Sequence, residues 1–399
     1  MLIKRRTFLQ AGSLATASLF VPRLLKAFEN DAPVPPGNKV VVVLQLSGGN
    51  DGLNTVIPYR NDEYYRARPR LGIARTKALS LTDEAGLHPA LTAFKGAYDN
   101  GELGIINAVG YDNPDRSHFR SMDIWHTASQ SSDYWNTGWL GRYLDAQCKD
   151  CKHATQALEI DDVLSLALKG ETKKGLALKD PRRLFGSSNE AFFKDLARQQ
   201  HQHHHEQPVD YLYQTLSETV SSADYIFKQS RLRPTAAAYP KTELGASLKT
   251  IASLIFSDIN TKVYYVSLGS FDTHVNQDAQ QGRLFAQMND AVEAFIKDLK
   301  GANRFDDVLL FTFSEFGRRV AQNGSNGTDH GTANNMFFIS GGLKEKGLIN
   351  PLPDLTGLVD GDLKHSVDFK QVYATVLSNW LGTSDKAILG QSYNKLSFI

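Results

Sequence analysis

Cysteine is nearly absent from this chain: two residues in 399, Cys148 and Cys151, set in Cys-Lys-Asp-Cys. A cysteine-built zinc site would need two more ligands nearby, so the pair is read as a local disulfide or as two free thiols. Redox catalysis would call for a thioredoxin-like surrounding, and none flanks the pair. Charge of one sign is missing too, with Lys+Arg 44 against Asp+Glu 43 and a formal net charge of +1. Nothing electrostatic therefore points to nucleic acid or to an anionic membrane surface as a partner. Long apolar runs are also lacking. The longest near the start, Ala11 to Val21, is about 11 residues against the ~20 that cross a bilayer. It is interrupted by Gly12, Ser13, Thr16 and Ser18. No permanent membrane span is expected.

What the start does contain is an ordered signal. Lys4-Arg5-Arg6-Thr7-Phe8-Leu9 precedes the apolar stretch, and Arg23, Lys26 and Ala27 follow it. A charged start, an apolar middle and a small-residue exit make a signal peptide. The paired arginines with Phe-Leu behind them mark the twin-arginine kind. Residues 1–30 are thus expected to be an export signal read by the twin-arginine translocase, with the mature chain in the periplasm. A Pro-rich linker, 31–38, leads into one domain, 39–399, long enough for a large core.

Within that domain, apolar runs alternate with helical patterns. Lys39-Val-Val-Val-Val-Leu-Gln-Leu46 is continuous and β-branched, the pattern of a strand buried on both faces. Leu103–Val109, Val263–Leu268, Asp307–Phe313 and Met336–Ser340 are of the same kind. Leu87–Asn100, Leu284–Lys300 and Val367–Leu381 show apolar residues at helical spacing. The alternation predicts an α/β fold, a three-layer sandwich with a mostly parallel central sheet. Residues 180–240 break the rhythm and read as a helical insertion or cap. Their run Gln-His-Gln-His-His-His-Glu at 200–206 is a metal-binding pattern or a solvated segment.

Ligands of open α/β sheets sit at the carboxyl ends of the strands. In this chain those ends carry Asp51, then Arg116-Ser117-His118 with Arg120, then Asp272 and His274, then Glu315. A Gly-rich loop brings Asp329-His330 ahead of the last strand. Carboxylates and imidazoles brought to one rim need a cation, and one or two divalent ions would supply it. Zinc, manganese, magnesium and calcium are not distinguished at this stage. Ser117, placed where a helix begins, is a candidate nucleophile or a helix cap. His118 is a ligand, a catalytic neighbour or a packed group, and Glu315 a ligand or the partner of Arg318 and Arg319. Arg116 or Arg120 would steady an anion's oxygens. The reading is an exported, metal-dependent hydrolase of phosphate or sulfate esters with a small anionic substrate. Its alternative is a non-catalytic, metal-stabilised protein of envelope assembly or ligand binding.

Six segments carry a family resemblance: Leu44-Gln-Leu-Ser-Gly-Gly-Asn-Asp-Gly-Leu-Asn-Thr55, Arg116-Ser-His-Phe119, Gly138-Trp-Leu-Gly141, Phe271-Asp-Thr-His-Val-Asn-Gln277, Thr312-Phe-Ser-Glu-Phe-Gly-Arg318 and Thr328-Asp-His-Gly-Thr332. Together they resemble the DUF1501 family of twin-arginine-exported bacterial proteins, from about residue 38 to the end. That family in turn resembles the alkaline phosphatase and sulfatase superfamily. The resemblance implies an alkaline-phosphatase-like fold with metals at the strand ends and export in the folded state. By position it implies that Asp51 is the first-strand metal carboxylate and Ser117 the nucleophile. It makes Asp272 and His274 a metal pair and His330 the histidine before the last core strand. Glu315 falls where the superfamily has adjacent Asp-His, with no histidine after it. Either Glu315 serves alone, or Asp329-His330 takes that role.

Overall fold

A computed structural model describes residues 38–148, 151, 155–191, 207–230 and 233–399. The signal segment, all of the linker but Asn38, and the histidine run at 200–206 lie outside the described residues. A nine-stranded sheet organises the fold. Its strands are β1 (Val40–Leu46), β2 (Leu103–Gly110), β3 (Ala157–Glu159), β4 (Leu176–Ala177), β5 (Val263–Leu268), β6 (Val308–Phe313), β7 (Asn334–Ile339), β8 (Gly347–Leu348) and β9 (Val367–Asp368). The order is β8-β2-β7-β6-β1-β5-β3-β4, with β9 also pairing with β2. All five expected strands form within a residue or two of their predicted ends.

Every residue of β1 is buried, as a strand flanked on both sides by parallel neighbours requires. Alternation along it divides the core. Val40, Val42, Leu44 and Leu46 join one apolar cluster, and Val41 and Val43 join another. The first cluster packs under α1 (Thr92–Asp99), α5 (Glu243–Phe256) and α6 (Gln277–Gly301). The second packs under α2 (His118–Thr127), α3 (Trp139–Gln147) and α7 (Phe369–Thr375). Two helical layers over opposite faces of one sheet make the three-layer sandwich.

The sheet is mostly parallel, and β7 is the exception, antiparallel to both β2 and β6. No crossover helix joins β6 to β7, so the chain must turn back at the end where β6 finishes. The connection 314–333 therefore stays at the carboxyl edge, the same rim that receives the ends of β1 and β5. Two helices are shorter than their apolar patterns. Leu87 pairs as a strand with Val56 and Leu79, and Pro89 keeps His88 out of helical conformation, so α1 starts at Thr92. The last pattern splits into α7 and a π-helical turn, Val376–Trp380. In the 180–240 segment a helix Pro181–Ser188 packs against α4 (Gln207–Ser230). Cys148 and Cys151 form a disulfide at the end of α3.

Candidate metal centre

The centre is built from the loops after β2, β5 and β6. Each of three histidines has its Nδ1 engaged by an oxygen acceptor. His118 Nδ1 lies 2.9 Å from Glu315 Oε1, His274 Nδ1 3.2 Å from Asp329 Oδ1, and His330 Nδ1 2.8 Å from the carbonyl of Arg116. An imidazole that donates from Nδ1 carries its lone pair on Nε2. All three Nε2 atoms face Asp272. Those of His274 and His330 are 3.0 and 3.1 Å from Asp272 Oδ1 and 3.1 Å from each other. His118 Nε2 is 3.5 Å from Asp272 Oδ2; it is buried and has no hydrogen-bond partner.

Lone pairs converging in this way repel unless a proton or a metal cation lies among them. Donors bound at about 2.1 Å to one ion stand about 3.0–3.4 Å apart; His274 Nε2, His330 Nε2 and Asp272 Oδ1 have that spacing, with His118 Nε2 3.5 Å from the other Asp272 oxygen. His118, Asp272 and His330 offer ligand atoms that all lie within 4.8 Å of one another. Three imidazoles and one carboxylate form a donor set for zinc, manganese or iron rather than for magnesium or calcium. The residues present thus fit one divalent transition-metal ion.

Acidic partners behind metal-binding histidines orient the rings and strengthen them as donors. Glu315 has that place. It is fully buried, and Oε1 accepts from the Gly48 backbone N–H at 2.8 Å as well as from His118. Its Oε2 accepts from Ser314 Oγ at 3.3 Å. The hydrogen bond between Glu315 and His118, more than any other influence, raises the His118 pKa above the ordinary histidine value. Gly48 makes the approach possible. Its φ is +116°, and a Cβ there would come 2.5 Å from the Asp272 backbone nitrogen.

Arg318 is buried on four carbonyls, those of Gly48, Gly49, Phe271 and Thr328, and its one carboxylate partner is Asp272 at 2.7 Å. Burial opposes ionisation of Asp272. The hydrogen bond from Arg318, the contact with His330 and the nearby positive charges outweigh it and hold the carboxyl at about 2. Asp272 is therefore a carboxylate at any working pH. Glu315 does not pair with Arg318 or Arg319, as one sequence reading had it.

The remaining sequence-predicted residues are placed as follows. Asp51 caps the short helix Gly52–Thr55, and both of its oxygens face Arg68, at 2.6 and 3.0 Å. Gln277 also donates to it. Arg68 is fully buried and directs its other N–H groups to Asn54 and to the carbonyls of Val320 and Arg319. A guanidinium thus faces the carboxylate that the resemblance assigns to a metal. Asp329 stands behind His274. Ser117 is the N-cap of α2, yet its side chain makes no cap hydrogen bond; its own N–H donates to Asp115 Oδ1 at 2.7 Å. Ser117 is exposed and directly precedes His118 in the chain. Arg116 is tied to the buried carboxylate of Asp362. Arg120 instead lies over Tyr134 and donates to the carbonyls of Gln130, Ser131 and Asp133.

Arg68, Gln277 and Asp362 were missed by sequence reasoning. Arg68 sits in a stretch with Arg66 and Arg70, and nothing local separates the buried arginine from its solvated neighbours. Gln277 lay inside a quoted motif without a chemical reason to single it out.

The fold and centre define a class, a three-layer α/β protein with a histidine-rich acidic cluster at the carboxyl ends of its strands. The chain belongs to the family described as "Protein of unknown function (DUF1501)", which matches residues 96–388. No curated protein matches it. Among solved structures it is similar to the lipoteichoic acid synthase LtaP from Listeria monocytogenes. That match has 10% identity over 92% of this chain and 78% of the other, with a TM-score of 0.42. It is also similar to the zinc complex of the C-terminal periplasmic domain of EcEptC from Escherichia coli, at 10% identity, 79% and 76% coverage and a TM-score of 0.35. A protein in the alkaline phosphatase superfamily from Vibrio parahaemolyticus matches at 10% identity, 90% and 71% coverage and a TM-score of 0.36. No helix among the described residues is long and apolar enough to cross a membrane.

Proposed function

We propose that this chain is an exported hydrolase of phosphate or sulfate esters, working with one divalent transition-metal ion and Ser117 as nucleophile. The observation that carries the reading is the set of three Nδ1-anchored histidines whose Nε2 atoms converge on Asp272. A bound ion there supplies Lewis-acid stabilisation of negative charge on the ester oxygens. His118, His274, His330 and Asp272 would hold it, with Glu315 and Asp329 orienting two of the rings. Asp51 supports one ion rather than two, since Arg68 occupies both of its oxygens, whereas Arg318 meets only Oδ1 of Asp272 and leaves Oδ2 facing His118.

Ser117 stands at the start of a 10-residue helix, where free backbone N–H groups and the helix dipole favour an anion. Its hydroxyl, not engaged in capping, is free to attack. The Ser117 Oγ bond to phosphorus or sulfur forms as the ester bond breaks, and the alcohol departs with a proton. Water then releases the anion from the serine. Arg116, held by Asp362, steadies the non-bridging oxygens. The twin-arginine signal at 1–30 assigns this chemistry to the periplasm.

The test is elemental analysis of protein exported by its native host, with assays on aryl phosphate, phosphodiester and sulfate esters. One metal per chain and hydrolysis lost in Ser117→Ala are expected. Hydrolysis unaffected by Ser117→Ala removes the serine from its role. The neutralised Asp51 also favours a second reading, a metal-stabilised binding protein of the envelope. Metal that raises the melting temperature while every ester assay stays blank selects it.

A further inference from the structure

The metal centre shares a wall with a cavity of about 520 Å³. Phe316 lines that cavity, and its ring lies 4.8 Å from that of His118 and 4.6 Å from that of His330. Arg116 lines it as well, and the Arg116 carbonyl is the acceptor for His330. A volume within the ~300–1,000 Å³ of small-molecule sites holds a whole organic ligand, far more than a phosphate or sulfate group needs. A larger cavity of about 700 Å³, beside Phe256 and Arg304, opens at the opposite end of the sheet, before β6. It is remote from the centre's chemistry.

The walls near the centre are of two kinds. Tyr111, Trp125 and Phe316 are almost fully buried and form an apolar floor. Around the floor, exposed Asp112 and Asp360 offer acceptors, while Lys364 and His365 offer donors. The rim mixes both signs, so a charged organic group gains little from it. Hydroxyl groups both donate and accept, and they suit such a rim. A hydrocarbon group would strip water from these side chains and return no hydrogen bonds.

We infer that this cavity is the subsite for the alcohol half of the ester, and that this half is a polyhydroxylated ring of sugar size. Its hydroxyls meet the rim, and its C–H face packs against the apolar part of the wall. The inference rests on the centre binding the anion, as proposed above.

Calorimetric titration of metal-loaded Ser117→Ala protein, which prevents turnover, tests it. The probes are inorganic phosphate, methyl phosphate, cyclohexyl phosphate and glucose 1-phosphate, with the matching sulfate series. Two or three added hydrogen bonds predict that the glucose ester binds about tenfold or more tighter than the methyl ester. The cyclohexyl ester should lack that gain. Val359 is 57% exposed at the cavity wall, and Val359→Trp should bring the glucose-to-methyl ratio to within about twofold of one. Equal affinity for the glucose and methyl esters overturns the subsite, and equal affinity for the glucose and cyclohexyl esters overturns the hydroxyl recognition. A ratio unmoved by Val359→Trp places the sugar elsewhere. If neither phosphate nor sulfate binds while metal is present, the anion site beneath the proposal is what fails.

Discussion

Replacing Glu315 by glutamine changes one thing at the centre, the charge behind His118. The amide is nearly isosteric with the carboxylate. Its oxygen can keep both the Gly48 N–H and the His118 Nδ1–H, and its NH₂ can donate to Ser314 Oγ, whose own proton goes to the Leu46 carbonyl. No cavity opens, and the one new amide N–H without an acceptor costs about 1–3 kcal/mol, so the fold should survive. What is lost is the negative charge that strengthens Nε2 as a donor. Partners of this kind are worth about 10–100-fold in metal affinity, or about 1.4–2.8 kcal/mol. Zinc titration against a competing chelator, with folding followed by circular dichroism, would measure it. An affinity within twofold of wild type, with one ion still bound, would refute the assignment of His118 as a ligand oriented by Glu315. Glu315→Ala is the coarser comparison, since it leaves the Gly48 N–H buried without an acceptor and should lower stability as well.

Asp51→Asn should separate a structural ion pair from a ligand: the buried Arg68 charge loses its partner, stability falls by about 3–5 kcal/mol in urea unfolding, and metal stoichiometry stays at one. A lost ion would restore Asp51 to the ligand set. Burial lowers the pKa of His126 and of His88 from 6.5 to about 4, the latter against the pull of Asp278 and Asp51. Each is neutral when folded and takes up a proton more readily when unfolded, so its stabilisation is whole above pH 6.5 and is lost as pH falls towards 4. Between pH 7 and pH 5 each should cost about 2 kcal/mol, and His126→Gln should remove its share of that slope; an identical slope in the variant would contradict the assignment. Gly141→Ala would bring a Cβ to 2.1 Å from the backbone carbon of Lys169. A loss of about 1–3 kcal/mol is expected in thermal unfolding, and an unchanged midpoint would mean that the contact relaxes freely.

How far the sequence reached depends on whether the signal was local. The strands were legible because a β-branched run such as Val40–Val43 is dictated by burial on both faces, wherever its neighbours lie. The direction of β7 was not legible, because it depends on the missing crossover rather than on the strand's own residues. The residue types of the centre were legible from their places at strand ends. Their roles were not. Glu315 and Asp329 read as ligands and stand behind histidines; His118 read as one of several things and faces Asp272 with a free Nε2.

By itself, then, the sequence determined the layers of the fold and the rim at which its acidic and histidine side chains collect. Periodicity and charge are properties of a segment and its composition. Only the tertiary structure decided which atom of each side chain meets which partner. A carboxylate binds a metal, orients a ring or neutralises a guanidinium according to what lies within about 3 Å of it. For Asp51 that neighbour is Arg68, 17 residues away in sequence, and for Glu315 it is His118, 197 residues away.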